Sequence, residues 1–201
     1  MKYMKRLICL FMLLAMLMGL TACSTKTFDQ EMMVKFCSDR DFTEMDDPYD
    51  YWEEYGKVLY GIGSNSGVFV YCTGKDAQHV YDLVINQHDY YEKYDIEEAS
   101  NFFYLDRYGF DYCSVLTFKD AEDAEDFFRE YGRGYSDNAK EQETKGYRYM
   151  LRSEPSQRDK EVLFGIYLKG NTVLSVLGDT SDSEIIDDLC KSYGVISPTK
   201  S

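Results

Sequence analysis

Proline, histidine and tryptophan are scarce, at 3, 2 and 1 in 201 residues. So few prolines exclude a Pro-rich stalk or linker. The two histidines, His79 and His88, leave no His-rich metal tract. They stand nine residues apart on or just after a predicted helix. At 100° per residue they fall on opposite faces, so they do not share a metal. The G-x-S-x-G and H-E-x-x-H signatures and the phosphate-binding glycine loop are missing. Basic residues are few: 22 Lys and Arg stand against 36 Asp and Glu, a net charge of −14. That balance excludes nucleic acid as a partner, because its recognition needs a basic footprint.

Long apolar runs are lacking too, with one exception. Lys2, Lys5 and Arg6 precede 14 apolar residues, Leu7 to Leu20. A spanning helix needs about 20. The far end carries Gly19, Thr21 and Ala22 rather than charged anchors. A charged start, a short apolar core and a small-residue exit describe a secretory signal. Cys23 follows directly, and Leu20-Thr21-Ala22-Cys23 resembles the lipobox of bacterial prolipoproteins. The resemblance covers about 24 residues. It implies that a diacylglycerol is joined to the Cys23 sulfur, that the signal is cut before Cys23, and that the new amine is acylated in turn, as by palmitate. Two or three acyl chains anchor stably where one is marginal. An ordinary cleaved signal with a chance cysteine is the alternative. The expected location is the cell envelope, on the outer face of the plasma membrane or on the outer membrane of a two-membrane host. The expected first partner is the lipid bilayer, through acylated Cys23.

Removing residues 1–22 takes away three basic groups and no acid, so the charge moves from −14 to −17. Such a chain is repelled by anionic headgroups, and the lipid must hold it there. Its tether, Ser24 to Thr27, reaches less than ~20 Å at ~3.3–3.6 Å per residue. The organisation read from the chain is a signal at 1–22, a lipidated tether at 23–27 and one globular domain at 28–201. That domain divides into two similar halves, about 28–95 and 96–196.

Hydrophobic residues make up 44% of the chain, with 19 Tyr and 12 Phe, so this is no disordered acidic tail. The tyrosines serve either a binding surface or core packing. Cys9 leaves with the signal, so Cys37, Cys72, Cys113 and Cys190 remain. Outside the cytoplasm they have three possible disulfide pairings; buried thiols are the other reading.

Helices are expected at Thr27–Cys37, with Thr27 and Gln30 as a capping box, and at Ala77–Gln87, capped by Asp76. A third runs from Asp120 until Gly132 and Gly134 stop it, and a fourth follows a Ser181/Glu184 capping box. Alternation and turn residues predict strands at 57–63, 67–73, 101–106, 110–118, 147–152, 162–169 and 172–177. Gly170-Asn171 is a two-residue hairpin turn. Thr73-x-Lys75-Asp76-Ala77 and Thr117-x-Lys119-Asp120-Ala121 repeat at an offset of 44, which suggests two similar βα units. The fold class is α+β: an antiparallel sheet with helices on one face, either ferredoxin-like or a doubled βα arrangement.

Asp39, Asp41, Thr43, Asp47 and Asp50 fall on positions 1, 3, 5, 9 and 12 of an EF-hand-like loop. Glu44 stands where that loop needs glycine, so no metal or cofactor is expected. Weak calcium binding by Asp39, Asp41, Asp47 and Asp50 is kept as an alternative to a solvated acidic loop. The expected function is a non-catalytic module that binds an envelope protein, peptide or wall component. The alternative is an extracytoplasmic hydrolase using carboxylates or a Cys72/His79 pair. Cys23→Ala is expected to leave uncleaved precursor that takes up no fatty-acid label. A cleaved, membrane-held Cys23→Ala product would refute the lipid anchor.

Overall fold

The structure is a computed structural model that describes residues 27–44, 55–61, 67–82, 94–105, 110–135, 139–144, 146–155 and 160–201. The predicted signal, Cys23, Asp47, Asp50 and His88 lie outside these residues.

Among the described residues, nine strands form one sheet in the order β1-β2-β3-β4-β5-β9-β8-β7-β6. They are β1 (Thr43–Glu44), β2 (Tyr55–Gly61), β3 (Gly67–Thr73), β4 (Ile96–Leu105), β5 (Phe110–Phe118), β6 (Gln142–Thr144), β7 (Tyr147–Pro155), β8 (Glu161–Lys169) and β9 (Thr172–Asp179). Every neighbouring pair is antiparallel. Among the described residues the four α-helices are α1 (Gln30–Ser38), α2 (Gly74–Val80), α3 (Ala121–Tyr135) and α4 (Ser183–Tyr193). The α+β class therefore holds.

The finer expectations need correcting. A ferredoxin-like arrangement requires parallel neighbours across split βαβ units, and this sheet has none among the described strands. Instead, β1 to β5 form one meander and β6 to β9 another, joined where β5 pairs with β9. The sheet also runs unbroken across the expected boundary at 95/96, with β3 paired to β4.

Nor do the helices share one face. On β5, Tyr112, Leu116 and Phe118 point into a core with α2 and α3, where Ala77, Val80, Ala124, Phe127 and Phe128 are buried. Cys113 and Val115 point into a second core with α1 and α4, beside Met33, Phe36, Ile186 and Leu189. The cause is visible on β8 and β9. Phe164, Ile166 and Val173 serve the first core, while Leu163, Tyr167 and Leu174 serve the second. A sheet apolar on both sides needs cover on both. The two repeated βα units, β3–α2 and β5–α3, both deliver their helices to the first core.

Much of the aromatic content is packing. Tyr81, Tyr94, Tyr131, Tyr149, Tyr167 and Tyr193 are buried. Phe127 stacks on Tyr131 at 5.0 Å and meets Tyr81 edge-on at 5.9 Å, the offset and edge geometries that aromatic quadrupoles favour.

The first core holds one polar row at mid-sheet. The Ser114 and Ser175 hydroxyls lie 2.6 Å apart across β5 and β9. Asn101 pairs with Ser114 on the other side. It is 1% exposed, and neither amide atom has a partner. A buried polar group without a bond costs roughly 1–3 kcal/mol. Asn101→Val is therefore expected to keep or raise the urea midpoint. A loss above ~1 kcal/mol would show that the amide is satisfied in solution.

Candidate functional site

The chain enters the domain across the end of the sheet. The Phe28 amide donates to Thr172 Oγ1 at 2.8 Å, and that hydroxyl donates to the Lys169 carbonyl at 2.7 Å. The Phe28 ring meets Tyr193 edge-on at 5.9 Å. Asp29, not Thr27, caps α1: its Oδ1 accepts from the Glu31 amide at 2.9 Å. Gln30 is thus freed from the capping-box role. Its side chain reaches down to β5, where Nε2 donates to the Val115 carbonyl at 3.2 Å and to Thr117 Oγ1 at 3.1 Å.

Beside these residues opens a cleft of about 680 Å³, within the ~300–1,000 Å³ of small-ligand sites. One wall is the start of α1, from Thr27 to Met32, with Tyr193; the rest is Tyr71 of β3, Glu98 of β4, Thr117 of β5 and Lys169. Glu98 accepts from Tyr71 Oη at 3.4 Å and from Thr117 Oγ1 at 3.5 Å. Both exceed the 2.5–3.0 Å of a good O–H···O bond, so the carboxylate is lightly held. Burial, and then the Glu98 charge and its hydrogen bond, push the Tyr71 phenol above its ordinary value. Lys169, the one base among the described lining residues, places Nζ 5.3 Å from the Phe28 ring centroid.

Gln30 is 6% exposed, and its Oε1 has no hydrogen-bond partner. The orientation of the amide is fixed, because Val115 offers a carbonyl, which only accepts. Oε1 is thus an unused acceptor closed off from solvent, with less than 1 Å² of accessible surface.

A second cavity of about 300 Å³ lies between α3 and β7, lined by Glu125 and Arg148. Its charges already serve one another. Arg148 Nη1 meets Glu125 at 3.0 Å, Arg148 Nε donates to Glu141 at 2.6 Å, and Arg129 meets Glu125 at 2.6 Å. This network leaves less for a ligand.

The residues predicted from sequence are dispersed. Cys37, Cys72, Cys113 and Cys190 are unpaired buried thiols. Burial pushes Cys37 and Cys72 up to about 12 and Cys190 to about 11, and holds Cys113 well above its ordinary value. Such thiols are poor nucleophiles at neutral pH. Cys72 faces the first core, and neither it nor His79 lines the cleft.

Of the acidic loop, Asp39 ends α1, and Asp41 takes a left-handed conformation at φ 62°. Thr43 and Glu44 pair with Tyr60 and Leu59 as strand β1, which breaks the loop such a site needs. Asp47 and Asp50 lie outside the described residues. Among the described residues, no group of three or more Cys, His, Asp or Glu could hold a metal. Ser197-Pro198-Thr199-Lys200 has S-x-x-K spacing, but Ser197 is buried and its hydroxyl caps a 3₁₀ turn. Sequence reasoning missed Gln30, Tyr71 and Glu98. They come from three separate elements, and no spacing links them.

No protein-family model matches this chain, and no similar curated protein or solved structure is found. Among the described residues no helix is long and apolar enough to cross a membrane.

Glu98→Gln removes the charge beside Tyr71, so the Tyr71 phenol is expected to titrate lower than in the parent. Burial alone should still hold it above the usual ~10. Carbon-13 NMR of labelled tyrosines, assigned with Tyr71→Phe, reads the change. An unmoved titration would show that the two groups do not meet.

Proposed function

We propose that this chain is an envelope lipoprotein, anchored through acylated Cys23, whose domain is a non-catalytic binding module with the α1 cleft as its ligand site. The observation that carries the reading is the cleft itself, an open cavity of about 680 Å³. It is lined by half-buried polar groups, Tyr71, Glu98 and Thr117 among them. Its position adds support. Thr27 and Phe28 line it, so the ligand site opens within the ~20 Å that a four-residue tether reaches from the lipidated residue. A ligand held there is an envelope component at or near the membrane surface.

Binding is favoured over hydrolysis by the chemistry of the lining. Tyr71, Thr117 and Glu98 bond among themselves, and among the described residues no thiol or imidazole joins them in the lining. The raised Tyr71 phenol stays protonated at neutral pH and acts as a donor.

A photo-crosslinking residue in place of Met32, which lines the cleft, tests this in living cells of the source organism. Adducts are expected from that position in the full-length lipoprotein. The same residue at Asp126, exposed on α3, should give none of them. No Met32 adduct, or the same adducts from both positions, would defeat the proposal.

A further inference from the structure

We infer that two copies of this chain pair through the outer edge of β7, around a two-fold axis at Ser153, so that their sheets join into one. This edge lies apart from the residues that line the cleft, and the pairing stands whatever the cleft binds.

Strand β7 is longer than its cover. From Arg148 to Pro155 it pairs with β8. On the other side β6 reaches only Tyr147 to Tyr149. Among the described residues, no strand pairs with Leu151 to Pro155 on that side. The turn at Gly170-Asn171 shows which groups are left. A two-residue turn closes on a pair that exchanges both backbone bonds, here Lys169 and Thr172. Such pairs recur at every second residue. Odd-numbered residues of β8 therefore bond to β9 and even-numbered ones to β7. Carried across the register, Arg152 and Glu154 bond to β8, while Leu151, Ser153 and Pro155 turn their backbone groups outward. Such a row on an edge is a template for another strand.

The side chains select a second copy as that strand. Arg152 and Glu154 stand on one face of β7 and meet within the strand. An antiparallel copy centred on Ser153 sets each Arg152 opposite the partner's Glu154, in the closer, non-hydrogen-bonded kind of pair. Four charges then alternate in sign around the axis. On the other face the half-buried Leu151 lies opposite the partner's Pro155. Ser153 exchanges two backbone bonds with its copy, and each Leu151 amide donates to the partner's Pro155 carbonyl. Proline brings no N–H, and at the end of the ladder that loses least.

Neighbouring registers fail. An axis at Arg152 or at Glu154 sets like charges opposite each other, which destabilises a strand pair. An axis at Leu151 sets Ser153 against the partner's Tyr149, whose edge β6 already holds. An edge complementary to itself in one register fits an isologous dimer better than a foreign strand. The ladder is short, so the contact falls at the small end of specific interfaces and the dimer is weak.

The processed full-length chain, in a density-matched neutral detergent, is measured by sedimentation equilibrium. A concentration-dependent dimer is expected. Arg152→Glu and Glu154→Arg should each weaken it at least tenfold, because each sets like charges across the axis. Mixed in equal amounts, the two variants should recover a dimer as tight as the parent's, since each supplies the sign that the other lacks. The pair within the strand is broken in both variants, so recovery reads the contact between copies. Circular dichroism checks that both are folded. Ser153→Cys, mildly oxidised in the envelope of the source organism, should crosslink to its own copy. The ~5.5 Å between Cα atoms of such a pair suits a disulfide. Glu122→Cys, exposed on α3, should not crosslink.

A monomer at every concentration up to ~1 mM overturns the inference. So does a dimer that neither charge variant weakens, or a mixture of the two variants that stays monomeric. Failure of Ser153→Cys to join its copy refutes the register. A Ser153→Cys crosslink to a different envelope protein gives the edge to a foreign strand and refutes the dimer.

Discussion

A sheet whose central strands are apolar on both sides cannot leave either side in water. Each large aliphatic or aromatic side chain moved out of water contributes ~1.5–3 kcal/mol, and β5, β8 and β9 carry such residues toward both faces. That constraint sets the rest of the architecture. It requires two helix pairs, α2 with α3 and α1 with α4, and it brings the first and last of the described helices onto one face. It also absorbs most of the described tyrosines into packing, which leaves Tyr71 and Tyr147 half-buried.

The cleft is the remainder of that solution. Helix α1 starts at Gln30, whose side chain bonds to Val115 and Thr117 near the end of β5. Beyond its first turn the sheet face turns polar, with Glu98 and Thr117 as cross-strand neighbours. Where apolar rows end, cover ends, and the polar groups are left facing an opening. Asp29 takes the cap, which releases Gln30 to bridge helix and sheet. One N-cap choice thus sets both the start of a helix and a helix-to-sheet bridge beside a cavity.

Much of the fold was legible in local pattern. The hairpin turn at Gly170-Asn171 lies between β8 and β9, and β5 alternates as its sequence does. The expectation of helices on one face failed for a readable reason. The runs VLFGIYL and TVLSVL lack the polar alternate positions of a half-solvated strand, a sign of cover on both faces. Gly132 and Gly134 were read as stops, yet α3 continues to Tyr135. Gly132 is a packing notch, since a Cβ there would lie 2.4 Å from Met150 Cε. The cleft was not legible at all. Gln30 matched a capping box, and only the tertiary fold brings it over Val115 and Thr117. The proposed lipid-attachment motif, by contrast, is wholly local and rests on sequence alone.

The join between the two meanders has a consequence for how the chain reaches this fold. Every other ladder links strands consecutive in sequence, but β5 and β9 pair residues as far apart as Tyr112 and Leu177. Contacts of that separation form slowly, because chain closure precedes any reward from packing. Until β9 arrives, β5 is a bare edge with apolar residues on both sides, a template for pairing with another chain. A polypeptide that stops short of Thr172 keeps that edge open permanently. Truncation products of this protein should therefore be driven toward aggregation by their most central strand rather than by their missing end.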